Sequence, residues 1–466
     1  MLDMPVSGLP SVSAPSYPLS RDAFAAALQK GLGRALIHLR EQGGAGFEAL
    51  LREACLHNQA YDPQCEADRG PWLMLLLDAA GLEPRLRGAI LEALRAGDAA
   101  ADCWDVLQLC QLAELLARRG VAEARDVLHA AFRPLGETDD LVGGPEIIAL
   151  DGADGLRFVA SRIGEWLAAD QRAGVSEMPV VWFDEQHGEG AAAAVLRSAA
   201  GHDPNVARYL AYLDGLAGRE IGGGATFRDL HQLRLSPNAQ QAHAARWRGV
   251  SAADVIREIE QAPPGLDRFG FQYWGVHASS ADLEAVLGRL VAETEPGRLC
   301  KYLHIFWRRA MPRLPAEVPA LADHADADVR RAAIRAMAAI RHPAARALAL
   351  RRLAAQRHDD DELNLLVENY EPGDAERIAR QVAMPDDPHR RHSLIMDLVH
   401  VFERNATPEA APVMLFCYEH TPCSNCRRKA VGVLLKAGVA PAWLVEECRC
   451  DVDDGTRKLV EAGGAA

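Results

Sequence analysis

The chain has 466 residues, of which 49% are hydrophobic and 25% charged, and its formal net charge is −14 at pH 7. This length is too great for one hydrophobic core and predicts two or three domains or a long repeat array. The acidic balance argues against a protein that binds nucleic acid over its whole surface. The low aromatic content of 6% favours helices packed through small residues over a β-sandwich.

Four segments follow one another along the chain. Residues 1–19 are rich in Pro and Ser and predict a flexible tail, and residues 20–172 predict an N-terminal array of helical pairs. Residues 173–277 predict an irregular insertion or linker, with a β-like run at 179–183, a glycine cluster at 222–224 and a Pro-Pro-Gly break at 263–265. Helical pairs resume over residues 278–466.

No apolar run reaches the roughly 18–20 residues that span a bilayer, and the first residues lack the basic and apolar regions of a signal peptide. A cytoplasmic protein without a membrane partner is therefore expected. In that compartment the ten cysteines are interpreted as buried thiols or metal ligands rather than disulfides.

The clearest repeat unit spans residues 326–356 and predicts two short helices joined by a tight break. Each helix has an apolar face at helical spacing, formed by Val329, Ala333, Ala336, Met337 and Ile340 in the first and by Ala347, Leu350, Leu353 and Ala354 in the second. His342 and Pro343 mark the break, because the residue before proline avoids the helical region and proline suits a first helical turn. Such a hairpin cannot bury its apolar face alone, so it predicts stacking on further copies.

The first helices of successive pairs are predicted to begin near Asp328, Glu362, His389, Ser424 and Gly455, which are 34, 27, 35 and 31 residues apart. This spacing is typical of helical repeats. Together with the sequence Asp328-Val329-Arg330 and the His-Pro break, it resembles the HEAT-like repeat family, in particular the short subclass named after phycobilisome lyases. The resemblance implies an all-α fold, an α-solenoid of stacked antiparallel helical hairpins with a concave face. It does not specify an activity.

A cluster of metal-ligand residue types lies near the C-terminus, with the pattern C-x2-H-x2-C-x2-C-x21-C-x-C over residues 417–450. Thiolates and imidazoles at such spacing are typical zinc ligands. The predicted ligand set for a structural zinc is His420, Cys423, Cys426 and Cys448. The alternative is a set of small core thiols or a redox pair. His389, His392, Asp397 and His400 share one predicted helix, where exposed histidines are the simpler interpretation and a metal site the alternative.

Basic residues are concentrated in residues 301–358, which carry 12 Lys and Arg against four acids in an otherwise acidic chain. The candidate binding residues, for phosphates or an acidic protein, are Arg330, Arg331, Arg335, Arg341, Arg346, Arg351 and Arg352. The alternative is a solvated face balanced by neighbouring acidic residues.

Three functions remain open from the sequence. The first is a scaffold or adaptor that binds a macromolecular partner, more readily a protein, through a concave surface. The second is a nucleic-acid-binding repeat protein that uses the 301–358 arginines. The third is an enzyme with a site in the 173–277 insertion, where acids and a histidine at 184–189 follow the β-like run. No catalytic residue is predicted, and the nucleotide-binding, zinc-protease and serine-hydrolase motifs are absent from the sequence.

Overall fold

The computed structural model describes residues 8–66, 69–97, 102–135, 140–220, 247, 249–261, 270–356 and 361–463. The chain divides into two compact units. The N-terminal unit comprises Ser16–Ala239 and Cys450–Asp453, and the C-terminal unit comprises Met1–Pro15, Gln240–Arg449 and Asp454–Ala466. The predicted glycine cluster at 222–224 and the break at 263–265 lie outside the described residues.

The N-terminal unit is built from helices, with one antiparallel pair of two-residue strands in its described part, β1 (Arg133–Pro134) and β2 (Leu141–Val142). Its helices are α1 (Arg21–Lys30), α2 (Arg34–Gln42), α3 (Glu48–Leu56), α4 (Arg69–Ala80), α5 (Glu83–Ala96), α6 (Cys103–Arg118), α7 (Ala122–Ala131), α8 (Gly144–Asp151), α9 (Ala153–Ala168), α10 (Met178–His187), α11 (Ala191–Ala200) and α12 (Pro204–Glu220). In the core, α6 packs against α4, α5 and α7, and α9 packs against α8, α11 and α12.

The start of α1 agrees with the sequence prediction, but the position of its end does not. Ser20 caps the helix and accepts a hydrogen bond from the Ala23 amide at 3.2 Å. The sequence predicts one helix from this cap to about residue 42, whereas the structure has α1 and α2 separated at Gly31. Gly31 has a φ of 73°, which glycine adopts at a helix end without steric cost.

The C-terminal unit is also helical. Its helices are α13 (Ala252–Gln261), α14 (Gly270–His277), α15 (Ser280–Ala292), α16 (Pro296–His304), α17 (Glu317–Leu321), α18 (Ala327–Ala338), α19 (Pro343–Ala354), α20 (Asp374–Gln381), α21 (Pro388–Arg404), α22 (Ala411–His420), α23 (Ser424–Lys436), α24 (Ala442–Cys448) and α25 (Asp454–Gly463). Short 3-10 turns occur at Glu362–Leu366 and Pro408–Ala410. The tail is tied to this unit at Leu9, whose amide donates to the Ala379 carbonyl at 2.6 Å.

Successive elements of the C-terminal unit contact one another in sequence order. Helix α18 packs against the 3-10 turn at Glu362–Leu366, this turn packs against α21, α21 against α23, and α23 against α25. These five elements coincide with the predicted first helices of the repeat units. The prediction of an all-α fold is confirmed for the described residues, in which the strand content is almost nil.

The break at His342 and Pro343 is confirmed. The His342 side chain caps α19 by accepting from the Ala344 amide at 3.2 Å, and Pro343 opens the helix. Asp326 caps α18 in the same way, by accepting from the amides of Asp328 and Val329.

Two further sequence predictions about local structure are wrong. The β-like run at 179–183 lies within α10, where Pro179, Val180 and Phe183 are buried on one helical face. A short apolar run has no period that separates a strand from a buried helix. In α19, Ala347 and Ala354 are exposed, and the buried apolar face consists of Ala345, Leu348, Ala349 and Leu353. The predicted apolar face of α18 is confirmed.

No helix of the described residues is both long enough and apolar enough to cross a membrane.

Candidate metal site

Three side chains of metal-ligand type converge in the C-terminal unit. The ligand atoms of His392, Cys423 and Cys426 all lie within 4.8 Å of one another. The Cys426 sulfur lies 3.3 Å from Nε2 of His392. Zinc binds sulfur at about 2.3 Å and nitrogen at about 2.0 Å, so a tetrahedral ion places a sulfur and a nitrogen ligand about 3.5 Å apart. The observed separation is therefore close to that of two ligands of one ion.

The two cysteines lie at the start of α23 and are held there by local hydrogen bonds. Cys423 is the N-cap residue of α23, and Cys426 lies in the first turn. The buried Thr421 hydroxyl accepts from the Cys423 amide at 3.2 Å, and its own amide donates to the Cys417 carbonyl at 3.0 Å. The C-x2-C spacing thus brings both sulfurs to one end of the helix, on a backbone fixed by Thr421.

His392 reaches the same place from the preceding helical pair. It lies near the start of α21, and α21 packs against α23. The three donors therefore come from two elements that are separated by 34 residues of sequence between His392 and Cys426. A metal ion bound by all three would join two successive helical pairs to each other.

The electrostatics favour a thiolate at this position. Cys426 donates a hydrogen bond to Cys423, and this bond together with the one from His392 holds the pKa of Cys423 well below its ordinary value. The same hydrogen bond and burial raise the pKa of Cys426. Since the thiolate is the form that binds metal, the cluster already stabilises one ligand in its binding state.

The predicted ligand set agrees with this cluster at Cys423 and Cys426. His420 lies at the end of α22, where its ring packs on Phe416 with centroids 4.8 Å apart. Cys448 is fully buried at the end of α24. Neither residue belongs to the set of mutually close ligand atoms, in which His392 is the imidazole donor.

Cys417 and Cys450 completed the sequence pattern, and each has a different environment. Cys417 is completely buried in α22, and burial raises the pKa of its thiol. Cys450 belongs to the N-terminal unit, where its sulfur accepts from Arg40 at 3.3 Å and its carbonyl accepts from the Trp72 indole at 2.9 Å.

Most of the candidate binding arginines have partners within the chain. Arg335 pairs with Asp361 and lies over the Trp307 ring. Arg346 bonds both oxygens of Asp374, at 2.5 and 3.0 Å. Arg352 is buried and donates to the Ala322 carbonyl and to Asp323. These bonds span 26 to 30 residues of sequence, so they connect one helical pair to the next.

The remaining arginines of this set are held less tightly. Arg330 donates to the carbonyls of His324 and Ala325 at 3.0 Å, and Arg331 lies 3.6 Å from Asp328. Arg341 and Arg351 are exposed. The structure therefore gives Arg335, Arg346 and Arg352 a clear role in packing and leaves Arg341 and Arg351 at the surface.

In the 184–189 segment, considered as an enzyme site, Asp184 and His187 have structural partners. The Asp184 carboxylate is buried and accepts from the amides of Gly190 and Ala192 at 3.0 and 2.7 Å, which fixes the start of α11. The His187 ring packs on Phe183 with centroids 4.2 Å apart. Asp184 is thus a capping residue.

A cavity of about 450 Å³ in the N-terminal unit was not indicated by the sequence. Its walls come from α3, α5 and α6, and His57 and Asp105 lie at its edge with Nδ1 and Oδ2 3.0 Å apart. Asp105 also accepts from the Asn58 amide at 2.6 Å. The carboxylate therefore fixes the chain after α3, and its second oxygen orients the His57 ring.

Comparisons with protein-family models, with curated proteins and with solved structures find no match for this chain. The interpretation of the site consequently depends on its geometry and chemistry.

Proposed function

We propose that the chain binds a zinc ion through His392, Cys423 and Cys426, and that the ion joins two successive helical pairs of a repeat scaffold. The observation that carries this proposal is the convergence of one imidazole and two thiols within 4.8 Å, from elements distant in sequence. Sulfur and imidazole donors select zinc over magnesium or calcium, which prefer oxygen ligands.

The test is a metal measurement on the full chain purified without chelators. We expect about one zinc per chain by plasma mass spectrometry, and a loss of zinc in the Cys423→Ser/Cys426→Ser double variant. Cys103→Ser is the matched control, since Cys103 is an exposed thiol of the N-terminal unit. Wild-type protein that binds no zinc even after incubation with the ion would overturn the proposal.

The role of His392 is tested separately from that of the thiols. His392→Ala should weaken zinc binding by at least about 100-fold, because even residues that only orient a ligand contribute 10- to 100-fold. His389→Ala is the matched control on the same helix and should leave the affinity unchanged. His420→Ala tests the ligand predicted from the sequence, and a loss of affinity in this variant with none in His392→Ala would make His420 the ligand.

A second proposal concerns the scaffold itself, an α-solenoid of HEAT-like type that binds a protein partner through a concave surface. It is supported by the sequence-ordered packing of the first helices in the C-terminal unit and by side-chain bonds that recur about one repeat apart. The internal pairing of Arg335, Arg346 and Arg352 makes these side chains part of the repeat packing and disfavours the alternative of a phosphate-binding groove.

Oligonucleotide binding separates the two kinds of partner. A protein-binding scaffold should show no salt-dependent affinity for single- or double-stranded oligonucleotides at low ionic strength. Tight binding that falls steeply with salt and is abolished by Arg341→Glu/Arg351→Glu would establish the nucleic-acid alternative. Recovery of one protein partner by cross-linking to the full chain, and its loss in a surface variant, would support the scaffold.

A further inference from the structure

The proposed zinc site has an incomplete set of protein ligands among the residues that the structure describes. Zinc is almost always four-coordinate in structural sites, and sites with three protein ligands keep the fourth position for water or an exogenous ligand. His392, Cys423 and Cys426 supply three donors, and no fourth His, Cys, Asp or Glu of the described residues joins them within 4.8 Å.

Solvent reaches the cluster from the side of His392. Cys423 and Cys426 are 4% and 6% exposed, whereas His392 is only partly buried. Cys417 acts electrostatically on Cys426, but it is completely buried in α22. Of the three donors, the imidazole is thus the one that solvent reaches.

The start of α23 gives the cluster a positive potential. One zinc ion with two thiolates and a neutral imidazole carries no net formal charge. The ammonium of Lys429 interacts electrostatically with Cys426. The Lys429 side chain is exposed, and its nitrogen lies 3.6 Å from a carboxylate oxygen of Glu403. The positive end of the 13-residue helix α23 also points to the cluster, because Cys423 is its N-cap residue. A soft zinc dithiolate site prefers a soft donor, and thiolate is the soft anion of biological ligands.

We propose that the fourth coordination position of the zinc takes a small exogenous thiol as a thiolate, a proposal that rests on the zinc site proposed above. Binding is a ligand exchange without redox change. The zinc–water bond breaks and a zinc–sulfur bond forms, while the thiol proton passes to bulk water. The site would thus be an exchangeable thiol-binding centre within the helical array, not a closed structural one.

Cobalt substitution tests this inference on the full chain. The apoprotein is loaded with Co²⁺, freed of excess metal and titrated with 2-mercaptoethanol. Its S-methyl derivative, which has no ionisable thiol, is the matched control ligand. We expect the sulfur-to-cobalt charge-transfer band to rise by about one half and to saturate, since a third thiolate joins two. The S-methyl derivative should leave the band unchanged, and gel filtration should show that cobalt stays bound.

Two other outcomes would overturn the inference, and they differ from each other. Cobalt that binds but gives a spectrum unaffected by the thiol means a closed site, so the inference fails while the metal site stands. Cobalt that does not bind at all removes the metal site and the inference together. Cys417→Ser gives an independent check, because a weaker charge-transfer band in this variant before any thiol is added would make Cys417 the fourth ligand.

Discussion

Asp397 is a carboxyl group whose surroundings oppose ionisation. Its Oδ1 accepts a hydrogen bond from the Asn364 side-chain amide at 2.7 Å, and the other end of that amide lies 2.7 Å from Nδ1 of His400. Burial first, and then the nearby Asp361 carboxylate, raise the pKa of Asp397 to about 7. The Asp361 carboxylate is paired with Arg335, so Arg335 already has a carboxylate partner and Asp397 is not needed to neutralise it.

The raised pKa of Asp397 predicts a pH-dependent stability. The pKa in the unfolded chain is about 3.9, so the folded state binds more protons between about pH 4 and 7. The free energy of unfolding should therefore fall as the pH rises through this window and level off above it, by on the order of 4 kcal/mol for this group. Asp397→Asn should remove that share of the dependence.

Urea unfolding at pH 5 and pH 8 measures this effect, with the exposed Asp214→Asn as the matched control. Glu146 contributes a similar slope in the N-terminal unit, because burial raises its pKa to about 7 as well. The wild-type stability therefore depends on pH for more than one reason, and the effect of Asp397 is measured as the difference between the slope of Asp397→Asn and the slopes of the wild type and Asp214→Asn. An Asp397→Asn slope equal to that of the wild type would contradict the prediction.

At the level of single residues, the sequence could assign Cys423 and Cys426 to one site, but it placed His392 in a separate cluster on its own helix. The C-x2-C spacing is local, and one helix start brings both sulfurs together. His392 joins them only because α21 packs against α23. One signal was available, since the predicted starts at His389 and Ser424 are 35 residues apart and His392 and Cys426 are 34 apart. Residues at equivalent positions of two consecutive, similarly packed helical pairs become neighbours in space.

Among the helices, α9 and α12 approach each other closely at Gly164. A Cβ atom added there would lie 2.1 Å from the Asn205 carbonyl oxygen, which is backbone and cannot move aside without shifting α12. Gly88 lies within α5, and an added Cβ there meets nothing within 4 Å. The close approach of α12 therefore requires a glycine at position 164, whereas no packing contact requires one at position 88.

Alanine substitutions at these glycines should change stability in opposite directions. Gly164→Ala should lower the free energy of unfolding by about 3 kcal/mol, because overpacking at a backbone contact forces the helices apart. Gly88→Ala should raise it by up to about 1 kcal/mol through the better helix propensity of alanine. Thermal unfolding of both variants measures these changes in stability. Equal changes in the free energy of unfolding at the two positions would show that α9 and α12 are not in close contact.

The presence of a helix could be predicted from the sequence more readily than the face that the helix buries. The start of α19 was predicted correctly because the His342-Pro343 break is marked by local backbone chemistry. The prediction of the buried face of α19 was wrong because alanines and leucines occur all around this helix, so that its apolar periodicity is weak. The buried face also contains Arg352, whose partners Ala322 and Asp323 lie about 30 residues earlier and cannot be read from the segment itself.

At the level of the whole molecule, a four-residue segment near the C-terminus completes the N-terminal unit. Residues Cys450–Asp453 belong to that unit although the chain on both sides of them does not. The Trp72 indole donates to the Cys450 carbonyl at 2.9 Å, and the Val452 amide donates to the Gly31 carbonyl at 3.0 Å. Val452 also fills the space beside Gly31, where an added Cβ would lie 2.2 Å from its side chain.

Two truncations isolate the contribution of this segment. A chain ending at residue 453 keeps the segment and a chain ending at residue 449 loses it, while both lack α25. The shorter chain leaves the buried Trp72 indole without its acceptor, which costs about 1–3 kcal/mol, and it exposes the apolar surface beside Gly31. Amide hydrogen exchange in α1, α2 and α4 should therefore be faster in the chain ending at 449 than in the chain ending at 453. Equal exchange in these helices would mean that the segment does not stabilise the N-terminal unit, and faster exchange confined to α23 would assign its role to the C-terminal unit instead.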